Sequence, residues 1–123
     1  MIRMGAVIVV AGLVTMLSAV PASADTIGSA GIGDPYYPLD GNGGYDVGHY
    51  DIRLSYQPGA DELWGTTTVI ATATQNLTQF DFDFLLRPTE VRVDNAPASF
   101  ESRADGELVV RPAHMVRAGT RDR

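Results

Sequence analysis

The sequence has 123 residues, 15 acidic against 9 basic side chains, and a formal net charge of -6 at pH 7. This acidic balance argues against nucleic acid and against anionic membrane surfaces as partners, because both are bound mainly through basic patches. The absence of cysteine excludes a disulfide framework, a thiolate metal site, a cysteine nucleophile and a lipid-modified amino-terminal cysteine.

The first 24 residues have the pattern of a secretory signal peptide. Arg3 gives a positive start, residues 5–17 form a nearly uninterrupted apolar run, and small residues lead up to Ala24 as signal peptidase requires. A membrane anchor is the alternative, but the apolar run contains polar residues and falls short of the ~20 apolar residues that span a bilayer. We therefore predict a signal-peptide helix over 1–24, cleavage after Ala24, and a secreted or periplasmic protein that does not contact the membrane after cleavage.

The mature chain begins with small and polar residues over 25–40, which predict a flexible leader before a single β domain over 41–123. The glycine-rich stretch Gly41 to Gly44 then leads directly into a strand. Apolar side chains occupy every second position of this strand: Tyr50, Ile52, Leu54 and Tyr56. This period of two predicts a strand whose apolar face is buried.

The rest of the chain predicts five further strands separated by turn signals. They run over Leu63–Gln75, Phe80–Leu86, Thr89–Val93, Ala96–Ser102 and Glu107–Arg111. Asp94-Asn95 and Ala104-Asp105-Gly106 are typical hairpin turns. With no helical period after the signal peptide, the sequence predicts an all-β fold, an antiparallel saddle or sandwich of about six or more strands.

Three segments in a fixed order resemble a known family. They are Gly33–Pro38, Gly41–Tyr56 and Leu63–Gln75, and they resemble the amino-terminal domain of the aminopeptidase N family of zinc metallopeptidases, in particular its secreted bacterial branch. Within them, His49-Tyr50-Asp51-Ile52-Arg53-Leu54 is similar to the family's opening strand. Val91-x-Val93-Asp94-Asn95-Ala96-Pro97-Ala98 is similar to a later hairpin. The resemblance extends from about Gly33 to Gly119.

The resemblance implies a β-saddle that packs on a thermolysin-like catalytic domain and covers one side of its active site. In the family that second domain carries a Gly-x-Met-Glu-Asn motif and a zinc-binding His-Glu-x-x-His helix, and it acts on peptide substrates. Neither motif occurs in this sequence. We therefore expect a fragment truncated before the catalytic domain and incomplete at its carboxyl-terminal end, with no catalytic, cofactor-binding or metal residues, and inactive alone. Zinc is implied only for the full-length family member.

The remaining candidate site residues favour structural roles. His49 and His114, the only histidines, lack a second ligand at helical or hairpin spacing, so His49 is expected to be packed or hydrogen-bonded. Asp81 and Asp83 would lie ~6.8 Å apart on one strand face, near the separation of paired catalytic carboxylates, but a solvated face is the stronger interpretation. Three further aspartates lack the spacing of a calcium-binding loop. These are Asp40, Asp46 and Asp51.

Two functions remain open. One is the structural domain of an aminopeptidase, and the alternative is a stand-alone secreted β-sandwich that binds a ligand without enzymatic activity. A domain that docks on a partner should expose a large apolar patch, whereas an independent module should not. Trp64, on the strand face opposite Leu63, is expected to be an exposed anchor for such a partner.

Overall fold

The computed structural model of the chain describes residues 26–119 and the backbone of 121 and 122. The predicted signal-peptide helix lies outside the described residues. Over the described part, the chain is all β, as the sequence predicts, with every strand pair antiparallel. The strands described are β1 (Tyr45–Gln57), β2 (Glu62–Ala73), β3 (Phe80–Asp83), β4 (Arg92–Val93), β5 (Ala96–Pro97), β6 (Ser99–Ser102), β7 (Glu107–Arg111) and β8 (Arg121–Asp122).

The longest element is the hairpin formed by β1 and β2, with 13 and 12 residues. Its register runs from the Tyr45–Ala73 pair at the base to the Gln57–Glu62 pair next to the turn. A β-bulge at Gly48 inserts one extra residue into β1. Because of this bulge, the odd-numbered apolar residues before it and the even-numbered ones after it share one face of the sheet. β8 pairs with the far side of β2, so the order of this sheet is β1-β2-β8.

The second sheet has the order β3-β7-β6, with β7 in its centre. Leu108, Val109 and Val110 of β7 are all buried, so both faces of this strand are covered. The β6–β7 hairpin turns at Gly106, whose φ of 95° lies in the left-handed region that glycine adopts without strain. This confirms the predicted turn and the bounds predicted for the last strand, Glu107–Arg111.

The two sheets meet in a small core at the base of the long hairpin. Ala73, Leu77 and Val116 are buried there, and Tyr45 and Phe80 pack against them. The rings of Tyr45, Phe80 and Phe82 form three edge-to-face pairs with centroids 5.5–5.7 Å apart. Beyond this base, the second sheet does not cover the hairpin.

The segment before β1 is hydrogen-bonded to the body of the domain. The backbone N–H of Gly28 donates to Gln79 O, and that of Thr78 donates to Thr26 O. Gly44 adopts a φ of 101°, and a Cβ atom added there would lie 2.9 Å from Leu77 Cδ2 and 3.1 Å from Gly28 Cα. Only glycine fits this point, where the segment crosses under the core.

Four strand predictions are corrected in their bounds. The second strand runs from Glu62 to Ala73 rather than from Leu63 to Gln75. The third strand ends at Asp83 rather than Leu86, and the fourth contains only Arg92–Val93. The predicted fifth strand is divided at Ala98, because the N–H of Ala98 donates to Val91 O and so leaves the ladder. The Asp94-Asn95 turn is confirmed, with φ values of 49° and 61° that suit a tight hairpin.

Two burial predictions are wrong. The face of β1 that carries Tyr50 and Ile52 is exposed, because no described element packs over that part of the hairpin. Asp81, predicted to lie on a solvated face, is only 2% exposed. Asp81 lies on β3, which pairs with the central strand β7, and both faces of the sheet are covered there. The alternation of apolar and polar residues along β3 therefore does not distinguish a buried face from a solvated one.

Candidate functional site: the exposed face of the long hairpin

The main candidate site is an apolar sheet surface that nothing in the described part of the chain covers. We call it the hairpin face. It consists of Tyr50, Ile52, Leu54 and Tyr56 of β1 with Leu63, Gly65, Thr67 and Val69 of β2. Five of these side chains are large, apolar and more than half exposed, the most exposed being Leu54 at 65%.

The hairpin face continues the surface that forms the core. At the base, Tyr45 and Ala73 lie on the same face of the same two strands and pack under the second sheet. Between Val69 and the turn, no described residue packs over the apolar side chains on this face. Contiguous exposed apolar surface of this kind is typical of interaction sites rather than of the free surface of a monomer.

Gly65 makes the middle of the hairpin face accessible. It pairs directly with Leu54, and a Cβ atom at Gly65 would lie 2.7 Å from Leu54 Cδ2. The leucine therefore lies across the glycine instead of standing away from the sheet. As a result the hairpin face is flatter at this point, which suits it to contact with another flat apolar surface.

The opposite face of the hairpin is polar. Its residues line a shallow depression of about 490 Å³, and they are His49, Asp51, Arg53, Thr66, Thr68 and Ile70. Arg53 Nη2 donates to Asp51 Oδ2 at 2.9 Å, an exposed ion pair between neighbours on one strand face. Trp64 lies on this side near the turn and is 64% exposed, as the sequence predicts. His49 is also exposed, so of the two roles expected for it, packed or hydrogen-bonded, the packed one is wrong.

The outer edge of β1 is a second feature of the hairpin. β1 is the terminal strand in its sheet, so within the described ranges no strand pairs with its outer side. An edge strand presents backbone N–H and C=O groups to which another strand can add.

Buried carboxylates form a separate cluster on the second sheet. Asp81 and Glu107 are 2% and 5% exposed, and the register places both, with Asp83, on one sheet face. Asn42 joins the cluster, since its amide donates to Glu107 Oε2 at 3.0 Å and its Oδ1 accepts from the Asp83 N–H at 3.0 Å. The alternating pattern of β3 does not predict the burial of these carboxylates, because it carries no information about the pairing of β3 with β7.

Burial raises the pKa of the Asp81 carboxyl above its ordinary value, and positive charge on Arg103 and Arg111 opposes the shift. Burial likewise raises the pKa of Glu107, while the hydrogen bond from Asn42 opposes it. Asp81 Oδ1 is buried without a hydrogen-bond partner. The cluster therefore costs folding free energy at neutral pH, and its hydrogen bonds hold the Gly41–Asn42 segment on the sheet.

The two histidines considered as metal ligands do not converge. His49 lies on the polar face of the hairpin, whereas His114 lines a different depression, of about 320 Å³, next to Val93 and Met115. Among residues 26–119, no three His, Asp or Glu side chains are arranged to hold a metal ion, which includes the aspartates considered for calcium. In the same part of the chain there is no helix of the length and apolarity needed to cross a bilayer.

Comparison with known proteins adds no relative. No protein-family model matches the chain, and neither a curated protein nor a solved structure is significantly similar to it.

Proposed function

We propose that this chain is the amino-terminal β domain of a secreted zinc aminopeptidase and that its role is to pack on a catalytic domain. The observation that supports this most is the hairpin face, a half-exposed apolar surface continuous with the core. The proposal takes the identity of the partner, the catalytic domain of a zinc aminopeptidase, from a sequence resemblance. His49–Leu54 and Val91–Ala98 resemble strands of that family's amino-terminal domain. The all-β antiparallel fold agrees with the saddle that the resemblance implies.

In this proposal the chain contributes shape rather than chemistry. The zinc ion and its ligands would belong to the catalytic domain, where a bound zinc would supply an activated water for hydrolysis of the amino-terminal peptide bond. The hairpin face buries its apolar side chains against that domain, and the exclusion of water stabilises the contact. The domain then forms one wall of the cleft that admits peptide substrates.

The alternative is a stand-alone secreted module that binds a ligand. The polar depression around His49 and Arg53 is the feature that favours it. An independent module, however, gains nothing from leaving Ile52, Leu54 and Leu63 in water. The docking domain therefore has the stronger support.

The decisive experiment begins with the DNA that follows the codon for Arg123, translated in all three frames. The proposal expects a Gly-x-Met-Glu-Asn motif followed by His-Glu-x-x-His in one of them. The encoded domain is then produced separately and its binding to this chain is measured by titration calorimetry. Reading frames without either motif, together with no binding to a zinc aminopeptidase domain, would exclude the proposal in favour of the module.

Variants locate the contact. Leu54→Asp places a charge in the centre of the hairpin face and is expected to weaken binding at least about tenfold, because a buried unpaired charge is costly. Leu85→Asp is the matched control, since Leu85 is 89% exposed and lies outside the hairpin face. Equal effects of the two changes would mean that the hairpin face is not the contact.

A further inference from the structure

The outer edge of β1 has few of the devices that keep edge strands apart. Natural edges are protected by short length, proline, charged side chains or bulges. The charged residues of β1 beyond its bulge, Asp51 and Arg53, have opposite signs, so they repel a second copy only in some registers. β1 has 13 residues, and its single bulge lies at Gly48, so the edge from His49 to Gln57 is regular. The next proline, Pro58, comes only after the strand has ended. This regular stretch is long enough for a second strand to pair with it.

A second copy of the chain can pair with this edge only in certain registers. Two antiparallel β1 strands related by a two-fold axis place their apolar side chains on one side of the new sheet when the axis passes through a residue position. A shift of one residue would oppose the apolar face of one copy to the polar face of the other. Within the regular edge from His49 to Gln57, the axis can lie at any residue from Asp51 to Ser55 and still pair at least five residues of each copy.

Charge selects among these registers. An axis at Asp51 opposes two aspartates, and an axis at Arg53 opposes two arginines, and both arrangements are destabilising. An axis at Leu54 places Arg53 opposite Ser55, and an axis at Ser55 places Arg53 opposite Gln57. Neither register forms an ion pair. An axis at Ile52 places Asp51 of each copy directly opposite Arg53 of the other, which creates two cross-strand ion pairs.

We propose that this chain forms a symmetric dimer in which the two β1 strands pair antiparallel about an axis at Ile52. The paired stretch runs from His49 to Ser55 in each copy, and the bulge at Gly48 marks where regular pairing stops. On the apolar side, Ile52 meets its own equivalent and Tyr50 meets Leu54. On the polar side, Asp51 and Arg53 exchange their contact within one strand for contacts between copies.

The dimer goes beyond the proposed function because it uses the strand edge, whereas docking on a catalytic domain uses the hairpin face. Pairing at the edge joins the two hairpin faces into one continuous apolar surface and leaves that surface open. Either contact can therefore exist without the other. An experiment that reverses charges on the polar side tests the dimer without changing the hairpin face.

The test is sedimentation equilibrium. The full sequence is expressed, including its amino-terminal segment, and the form of the chain that remains after any processing by the cell is purified. Asp51→Arg opposes arginines in both cross-strand pairs, and Arg53→Asp opposes aspartates. Each single variant is expected to weaken dimerisation about tenfold or more, since both symmetric pairs become repulsive. An equimolar mixture of the two variants is expected to regain the affinity of the original chain, because the mixed dimer contains two Arg–Asp pairs.

Matched controls change the same charges elsewhere. Glu90→Arg and Arg87→Asp alter exposed residues outside the hairpin, and both are expected to leave dimerisation unchanged. Circular dichroism confirms that each variant is folded. A chain that stays monomeric up to about 100 µM overturns the proposal, as this leaves an association free energy too weak for a specific dimer. Single variants that dimerise as well as the original chain, or a mixture that does not recover, overturn it as well.

Discussion

The hydroxyl of Tyr45 donates a hydrogen bond of 2.7 Å to the backbone carbonyl of Asp81, and so joins the base of the long hairpin to the edge of the second sheet. The same ring makes edge-to-face contacts with Phe80 and Phe82. Burial and the surrounding negative charges raise the pKa of this phenol well above its ordinary value, which keeps it protonated as a donor. One side chain thus links the two sheets by both apolar and polar contact.

Tyr45→Phe is expected to lower the free energy of unfolding by about 1 kcal/mol, because it removes one hydrogen bond and leaves the ring contacts in place. Urea denaturation measures the change. Tyr56→Phe is the matched control, since its hydroxyl bonds Asp61 on the exposed turn. If both variants lose the same stability, the link between the sheets has no special role.

Asp81→Asn is expected to stabilise the fold at pH 7 by roughly 1 kcal/mol, because a buried carboxylate oxygen without a partner is costly. The folded state raises the pKa of this carboxyl, so its protonated form contributes stability that is present at acid pH and lost as pH rises through the folded value. As pH rises above the ordinary range of a carboxyl pKa, the stability of the variant should therefore change less than that of the original chain.

Thermal unfolding at a series of pH values follows this difference. Glu62→Gln removes an exposed carboxylate and is expected to change stability by less than about 0.5 kcal/mol. An Asp81→Asn variant that is less stable than the original chain at neutral pH would show that the carboxylate makes a favourable contact.

Gly44→Ala is expected to destabilise the fold by about 2 kcal/mol or more, because the left-handed backbone and the contacts with Leu77 and Gly28 leave no room for a Cβ atom. Gly59→Ala is the control, since nothing lies within 4 Å of a Cβ atom at that position. The difference between their urea midpoints measures the effect. Similar midpoints would mean that the crossing under the core adjusts freely.

Leu108→Ala and Leu54→Ala make the same change in two environments. Leu108 is 6% exposed, and its truncation is expected to cost about 2–5 kcal/mol through lost burial and the cavity left behind. Leu54 is 65% exposed, and its truncation should cost less than about 0.5 kcal/mol in the unbound monomer. Chemical denaturation at low protein concentration compares them. A large loss at Leu54 would indicate that the hairpin face is covered in solution.

If the chain is the amino-terminal domain proposed above, it is expected to show no zinc-dependent aminopeptidase activity alone, because its sequence contains neither the Gly-x-Met-Glu-Asn nor the His-Glu-x-x-His motif. An aminoacyl reporter with added zinc provides the measurement, and a chelator provides the control. Hydrolysis that is abolished by the chelator and restored by zinc would disprove the expectation.

The sequence predicted the features that depend on local pattern. Alternation placed Tyr50, Ile52 and Leu54 on one face of β1, and the turn residues Asp94-Asn95 and Gly106 set two hairpins. It could not predict which faces are covered, because cover comes from elements distant in the chain. For this reason the apolar side of β1 was assigned to the core, and Asp81 to solvent, and both assignments were wrong.

The candidate site shows the same limit. The exposure of Trp64 followed from its position on the face opposite Leu63. His49 on that polar face was expected to be packed or hydrogen-bonded, and its exposure excludes packing. The hydrogen bond from Asn42 to Glu107 joins residues that are 65 positions apart, and no spacing in the sequence predicts it.

Because of the bulge, the sheet can lose Gly48 without turning any other side chain of β1 to the opposite face. Tyr45 and Val47 precede it at odd positions and Tyr50 follows at an even one, so removal of Gly48 would restore simple alternation with every residue still on its present side. Deletion of a residue beyond the bulge, with the bulge kept, would turn all the residues that follow to the other face. Bulges increase the local twist of a strand. Without Gly48, the far end of the hairpin would therefore extend from the domain at a different angle, and the hairpin face would point in a different direction.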